Sequence, residues 1–340
     1  IWFTLLLSLL ASTVITMSSN HWLLAWLGLE LNTLCILPII MKTPHPRATE
    51  AATKYFLIQV TAATMILLAS IMNAWQTGQW TITHTTPTPT LLITMAIMLK
   101  LGIAPMYMWY PNVLQGTTMN TALFISTWQK LAPLALLYMI HNNLNHTTIL
   151  LLGLLSAMVG GWAGLNQTQT RTLMAFSSIA HMGWLITAIT LNPSLTTLTM
   201  TVYMMTTTAT FLPLATTTKT LLDVGTMWPL SPTTLTATMI SLMSLGGLPP
   251  LTGFMPKWLI LKELTATGLP LLATLLLLTS LPSLYFYIRL AYLTLLTTPP
   301  TTTTTEYKWR FKTDQPKYTT TMIAASTLLL PLTMALHTIT

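Results

Sequence analysis

Stretches of about 20 apolar residues, joined by short connections, are the feature that most limits what this chain can become. A helix that crosses a bilayer needs roughly that length. Eleven segments of the 340-residue chain qualify as candidates: 2–18, 22–41, 54–74, 91–110, 118–140, 147–165, 172–191, 195–217, 234–264, 270–296 and 319–338. Only 6% of the residues are charged and 52% are hydrophobic, whereas soluble domains average about 25% charged. So little charge cannot wet the surface of a globular core, and the sequence predicts an all-α polytopic membrane protein with the lipid bilayer as its surroundings. Turn residues sit in the connections, as at Pro44 and Pro46, Pro87 and Pro89, Asn192-Pro193 and Pro299-Pro300. Threonine recurs inside the segments, where its hydroxyl can bond the backbone one turn back. The chain opens at Ile1 instead of a methionine, which reads as a few residues missing ahead of it.

Several function classes drop out. The net charge is +8, but the basic residues are dispersed, with no basic face or readout motif, so nucleic acid is not an expected partner. The single cysteine, Cys35, leaves no internal disulfide and no CxxC pair. No dinucleotide fingerprint, phosphate loop, cysteine cluster or helix-interior histidine pair is present. No cofactor or metal is expected in this chain, and energy for transport has to come from an ion gradient or from partner subunits.

Two of the apolar segments are broken, and each carries a lysine at the break. The first reads Leu99-Lys100-Leu101-Gly102-Ile103-Ala104-Pro105, with Pro111 following. The second reads Gly246-Gly247-Leu248-Pro249-Pro250, then Gly253 and Pro256-Lys257. A charge in the bilayer core costs at least roughly 2.5–3.5 kcal/mol, and a broken helix frees backbone groups that lipid cannot satisfy. Both costs, incurred twice, point to a polar path through the membrane, and paired interrupted segments are a pointer to a transport site.

Loop charge sets the orientation. With the N-terminus on side A, that side receives Lys42, Arg47, Arg171, Lys219, Lys308, Arg310, Lys312 and Lys317, and side B only Lys262. Side A is the positive, cytoplasm-equivalent side. The broken segments then lie five apart and run in opposite directions, which predicts two inverted five-helix repeats, 1–140 and 141–297. The two lysines become symmetry mates. A side-A loop, 298–318, and a C-terminal helix, 319–340, complete the organisation. Within the loop, Glu306-Tyr307-Lys308-Trp309-Arg310-Phe311-Lys312 alternates charged and aromatic residues. That pattern reads as a short strand with one aromatic face, either a docking surface for a partner or, the favoured reading, aromatics and cations at the headgroup layer.

Four charges fall well inside segments: Glu30, Lys100, Lys130 and Lys257. Lys54 and Arg289 lie near side-A ends, where snorkelling is the simple reading, and Lys54 is also one turn after Glu50. Burial disfavours a charged amine and a nearby carboxylate favours it. A Glu30–Lys100 pair is therefore read as a switch, and three lysines and a glutamate linked by water and hydroxyls as a proton relay. His181, inside the seventh segment, is a candidate proton carrier between half-sites or a packing histidine.

At these residues the chain closely resembles the subunit 2 family of mitochondrial NADH:ubiquinone oxidoreductase, respiratory complex I. More broadly it is similar to the antiporter-like subunits shared with multisubunit cation/proton antiporters. The resembling stretches are His21 to Glu30, Ala48 to Leu57, Lys100-Leu101-Gly102, Trp128 to Pro133, Gly164 to Gln169, Ser177 to Trp184 and Leu245 to Trp258. The resemblance implies two inverted five-helix repeats, and roles for six residues. Glu30 and Lys100 are the charge pair, Lys54 modulates it, Lys130 is the central relay, His181 belongs to the polar axis and Lys257 serves the second half. It implies a site in the mitochondrial inner membrane beside the other membrane-arm subunits, including neighbouring antiporter-like ones, with side A facing the matrix. NADH, flavin, iron–sulfur clusters and ubiquinone are implied to belong to other subunits. Where the family typically reads Pro-Phe-His-x-Trp-x-Pro-Glu, this chain has Tyr107 and Asn112 in place of the histidine and glutamate. A tyrosine hydroxyl is no substitute for imidazole as a neutral-pH proton carrier, so proton entry through that loop is in question. Two other readings compete: a scaffold of the membrane arm without its own proton path, and a standalone cation/proton antiporter. Four charged residues inside the bilayer argue against the scaffold.

Overall fold

Proline opens five of the helices and histidine caps two, so many helix starts are written directly in the sequence. The computed structural model describes residues 2–215, 219–298 and 318–332. The charged–aromatic stretch 306–312 lies outside the described residues. Among the described residues the regular structure is helical, with isolated bridges at His21–Thr81 and Gln169–Thr220. Among the described residues five helices are each long and apolar enough to cross a membrane: Trp22–Ile40, Pro46–Thr77, His146–Gly164, Thr170–Leu191 and Pro270–Thr297. The chain divides into two compact units, Ile1–Leu155 and Ser156–Thr340.

The first unit holds α1 (Trp2–Ser18), α2 (Trp22–Ile40), α3 (Pro46–Thr77), α4 (Pro87–Leu101), α5 (Trp109–Gly116), α6 (Met119–Ser126) and α7 (Leu131–Met139). His21 Nδ1 accepts from Leu23 N–H at the start of α2, and His45 Nδ1 from Arg47 N–H at the start of α3. These bonds satisfy amides that the first turn cannot. α3 packs against α2, α4 and α5, and α7 against α1 and α4.

α8 (His146–Gly164) leads into the second unit, which holds α9 (Thr170–Leu191), α10 (Pro193–Leu214), α11 (Met227–Leu230), α12 (Pro232–Gly246), α13 (Phe254–Ala266), α14 (Pro270–Thr297) and α15 (Tyr318–Leu328). α10 is its hub, packed against α9, α12, α13 and α15. Threonine suits that position because its hydroxyls bond back within the helix. Thr196, Thr199, Thr206 and Thr210 each donate to a carbonyl three or four residues earlier.

Both units contain the same interruption at a constant shift. Pro232 follows Pro87 by 145 residues, Gly247 follows Gly102 by 145, and Phe254 follows Trp109 by 145. In each, a 15-residue helix opened by proline stops at a glycine in the left-handed region, φ 70° at Gly102 and 83° at Gly247. A second helix then starts seven positions after that glycine. Glycine is favoured at both turns because its φ disfavours any side chain; at Gly102 a Cβ would also sit 3.0 Å from Tyr110 Cβ, whereas at Gly247 it would meet the movable end of Lys257.

Two expectations change. The segment expected as one helix over 118–140 is interrupted: α6 ends at Ser126, residues 128–130 form a tighter turn, and α7 starts at Leu131. Pro133 explains the break, since it offers no N–H to the carbonyl of Gln129 and its ring crowds that carbonyl. The lysines at the paired breaks are also not positional mates. The residue 145 after Lys100 is Leu245, and the residue 145 before Lys257 is Asn112.

Replacing Gly102 with alanine is expected to destabilise the break by about 1–2 kcal/mol from the left-handed backbone alone, with the Tyr110 contact adding to it. Thermal unfolding of the purified assembly checks this: a midpoint equal to that of the unsubstituted protein refutes the strain argument.

Candidate functional site

A helix that stops inside the membrane leaves its last carbonyls pointing at whatever follows, with partial negative charge. In the first unit Lys100 lies in the last turn of α4 and is 6% exposed. The carbonyls around it are taken by side chains: Trp109 Nε1–H donates to Leu99 O at 3.1 Å and Gln59 Nε2–H to Lys100 O at 3.4 Å. The Lys100 ammonium itself is buried without a hydrogen-bond partner.

Lys100 lines a cavity with Lys130, which is 3% exposed. The space open to water centres there is about 20 Å³, enough for about one water molecule. A polar chain lies along it: Tyr55 OH donates to Gln129 Oε1 at 3.4 Å, and Gln129 Nε2 donates to Asn32 Oδ1 at 2.9 Å. Lys130 Nζ stands 4.9 Å from the centre of the Tyr110 ring.

Neither Glu30 nor Lys54 lines this cavity. Glu30 is half-buried, and its carboxylate and carbonyl both accept from Thr33 Oγ1, at 3.2 and 2.8 Å. Its neighbour Asn32 points into the cavity because two residues span about 200° of helix. Glu30 and Lys100 form no ion pair within 4 Å. Lys54 is exposed and pairs with Glu50 at 2.5 Å. Arg289, read as snorkelling, donates to Leu165 O at 2.6 Å and so closes the carbonyl end of α8.

In the second unit Lys257 reaches back from α13 to the end of α12, where its Nζ donates to Gly246 O at 2.9 Å. His181 and Lys257 line one cavity with about 30 Å³ of room for water centres. The His181 ring lies 5.7 Å from that of Tyr203, and Lys257 Nζ lies 5.9 Å from the Trp184 ring centre. Sequence reasoning missed Asn32, Tyr55, Gln59 and Gln129. Tyr55 and Gln59 share a helix face at i, i+4, and Gln129 adjoins Lys130. Those two spacings were the available signal.

Comparisons with known proteins identify what carries this geometry. A family model described as "NADH:quinone oxidoreductase/Mrp antiporter, TM" matches residues 19–283, and one described as "NADH dehydrogenase subunit 2 C-terminus" matches 284–337. The chain is 51% identical over 339 residues to NADH-ubiquinone oxidoreductase chain 2 of Tetraodon nigroviridis, covering 99% of this chain and 97% of that one. The chain belongs to the NADH-ubiquinone oxidoreductase chain 2 family. The same protein of Varanus timorensis is 52% identical over 332 residues, covering 97% and 96%. A solved structure of respiratory complex I from Thermus thermophilus contains a chain that superposes with a TM-score of 0.82 at 25% identity, covering 99% of this chain and 77% of that one. Family membership makes the chain an integral membrane subunit of the oxidoreductase for which the family is named.

Replacing Gln129 with leucine leaves Tyr55 OH and the Asn32 amide without their partners in a buried place, at about 1–3 kcal/mol each. The expected outcome is a lower thermal midpoint of the assembled complex. An unchanged midpoint would show that the two bonds contribute nothing.

Proposed function

We propose that this chain carries protons across the mitochondrial inner membrane as one of the membrane-arm subunits of respiratory complex I. The driving electron transfer from NADH to ubiquinone, with its flavin, clusters and quinone site, takes place on other subunits. The observation that carries this reading is the pair of small cavities at the two helix breaks. Each is lined by lysine, with Lys257 bonding the carbonyl end of its half-helix, and neither is lined by a carboxylate. A buried amine with water-sized room and hydroxyl or amide neighbours can take up and release a proton, whereas a scaffold has no use for it.

In this reading Lys100 and Lys130 serve the first half of the path, and His181 and Lys257 the second. Glu30 is the switch for Lys100, closing and opening as the neighbouring subunits move, and Lys54, paired with Glu50, sets the field around it. The halves 1–140 and 141–297 are inverted repeats, supported by the constant shift of 145 residues, and the N-terminus faces the matrix, supported by the side-A excess of basic residues. The membrane-arm partners cover the apolar flanks of the helices.

Lys130→Met decides between relay and scaffold. The relay predicts fewer protons moved per electron pair, with NADH oxidation by an artificial acceptor intact. An unchanged proton-to-electron ratio in a fully assembled complex favours the scaffold. Migration of the native chain as a free monomer or homodimer would favour a standalone antiporter.

A further inference from the structure

We propose that Tyr110 and Trp184 are positioning residues for the relay, each offering its ring face as the resting place of a lysine ammonium, Tyr110 for Lys130 and Trp184 for Lys257. The proposal rests on the relay reading above. In both units the geometry is the same. Lys130 Nζ lies 4.9 Å from the Tyr110 ring centre, and Lys257 Nζ 5.9 Å from that of Trp184. Both distances fall within the roughly 6 Å over which a cation is attracted to a ring. Both rings are buried, Tyr110 at 1% and Trp184 at 5% exposure, so bulk water screens the attraction little.

No aspartate or glutamate lines either cavity. A carboxylate in contact with an ammonium at low dielectric would bind it tightly and compete for its proton. A ring face attracts the cation more weakly and has no basic site. It can therefore hold the ammonium in place without competing for its proton.

Tyr110 is itself fixed by the helix break. Its Cβ packs where a side chain on Gly102 would lie, and its ring meets Trp109 edge-on at 5.6 Å. Trp109 in turn donates to Leu99 O at the end of α4. The same break that exposes the carbonyls near Lys100 thus aims a ring at Lys130. This couples the positions of the two lysines without a bond between them.

The test compares Tyr110→Phe, Tyr110→Met and Lys130→Met in the assembled complex in sealed vesicles, reading turnover coupled to proton uptake. The expected result for Tyr110→Met is about a tenfold loss, equivalent to about 1.4 kcal/mol, with Tyr110→Phe restoring coupled turnover to within about twofold because the ring face is kept. Trp184→Phe against Trp184→Met is expected to give the same contrast. Equal loss in Phe and Met variants, or none in either, overturns the proposal. If Tyr110→Met does not assemble, Tyr110→Phe decides alone: a tenfold loss there assigns the role to the hydroxyl and refutes the ring. If Lys130→Met leaves the proton-to-electron ratio unchanged, the relay reading has failed. If Lys130→Met lowers it while Tyr110→Met matches the unsubstituted protein, only the ring's role has failed.

Discussion

Two helices, α4 and α12, end at glycine turns among buried side chains, and the carbonyls they leave open govern what lies around them. Lipid offers those carbonyls nothing, so protein groups must meet them. In the first unit the indole of Trp109 and the amide of Gln59 do so, and Lys100 belongs to the same last turn. In the second unit Lys257 crosses from the following helix to bond Gly246 O directly. The two lysines come from different positions in the repeat and are placed differently: Lys257 bonds a helix-end carbonyl, whereas the Lys100 head makes no such bond and lines the first cavity. An ammonium is stabilised near a helix C-terminus, and in the second unit the helix after the break delivers it.

Small cavities follow from the same constraint. A capped helix end surrounded by bulky aromatics cannot close completely, because the chain must turn at Gly102 or Gly247 and re-enter a helix seven positions later. What remains has room for one or two water molecules, about 20 Å³ in one unit and 30 Å³ in the other. Such spaces do not hold a continuous water file. In the proposed relay a proton would cross them by single-water steps and by rotation of the groups already there. The Gln129 amide is well placed for this, since it accepts from Tyr55 and donates to Asn32 beside both lysines.

Much of this was legible in the sequence because glycine, proline and charge are costly in a membrane. The breaks at Gly102 and Gly247, and the lysines beside them, could be read without coordinates. The break at Thr127–Lys130 was not read, although Pro133 marks it: its effect falls four residues upstream of the proline, where the sequence shows neither glycine nor proline. The bond from Lys257 to Gly246 was also invisible. It spans eleven residues of loop and helix, and no periodicity links its ends. The polar residues Asn32, Tyr55, Gln59 and Gln129 look ordinary in sequence because neutral side chains in a membrane helix raise no alarm. Only their convergence on one cavity gives them meaning.

The same reasoning explains where Glu30 stands. A helix turns about 100° per residue, so Leu29, Asn32 and Thr33 face the first cavity while Glu30 lies off that face. It remains half-buried in mid-helix and is held locally by Thr33. The adjacent face of α2 carries Leu23, Leu27, Leu31 and Leu34, all exposed. A carboxylate flanked by exposed leucines on a membrane helix is tolerable where a neighbouring protein surface covers it. That ties the setting of Glu30 to what packs against α2. The lysines inside the chain are governed instead by rings and carbonyls of the chain itself.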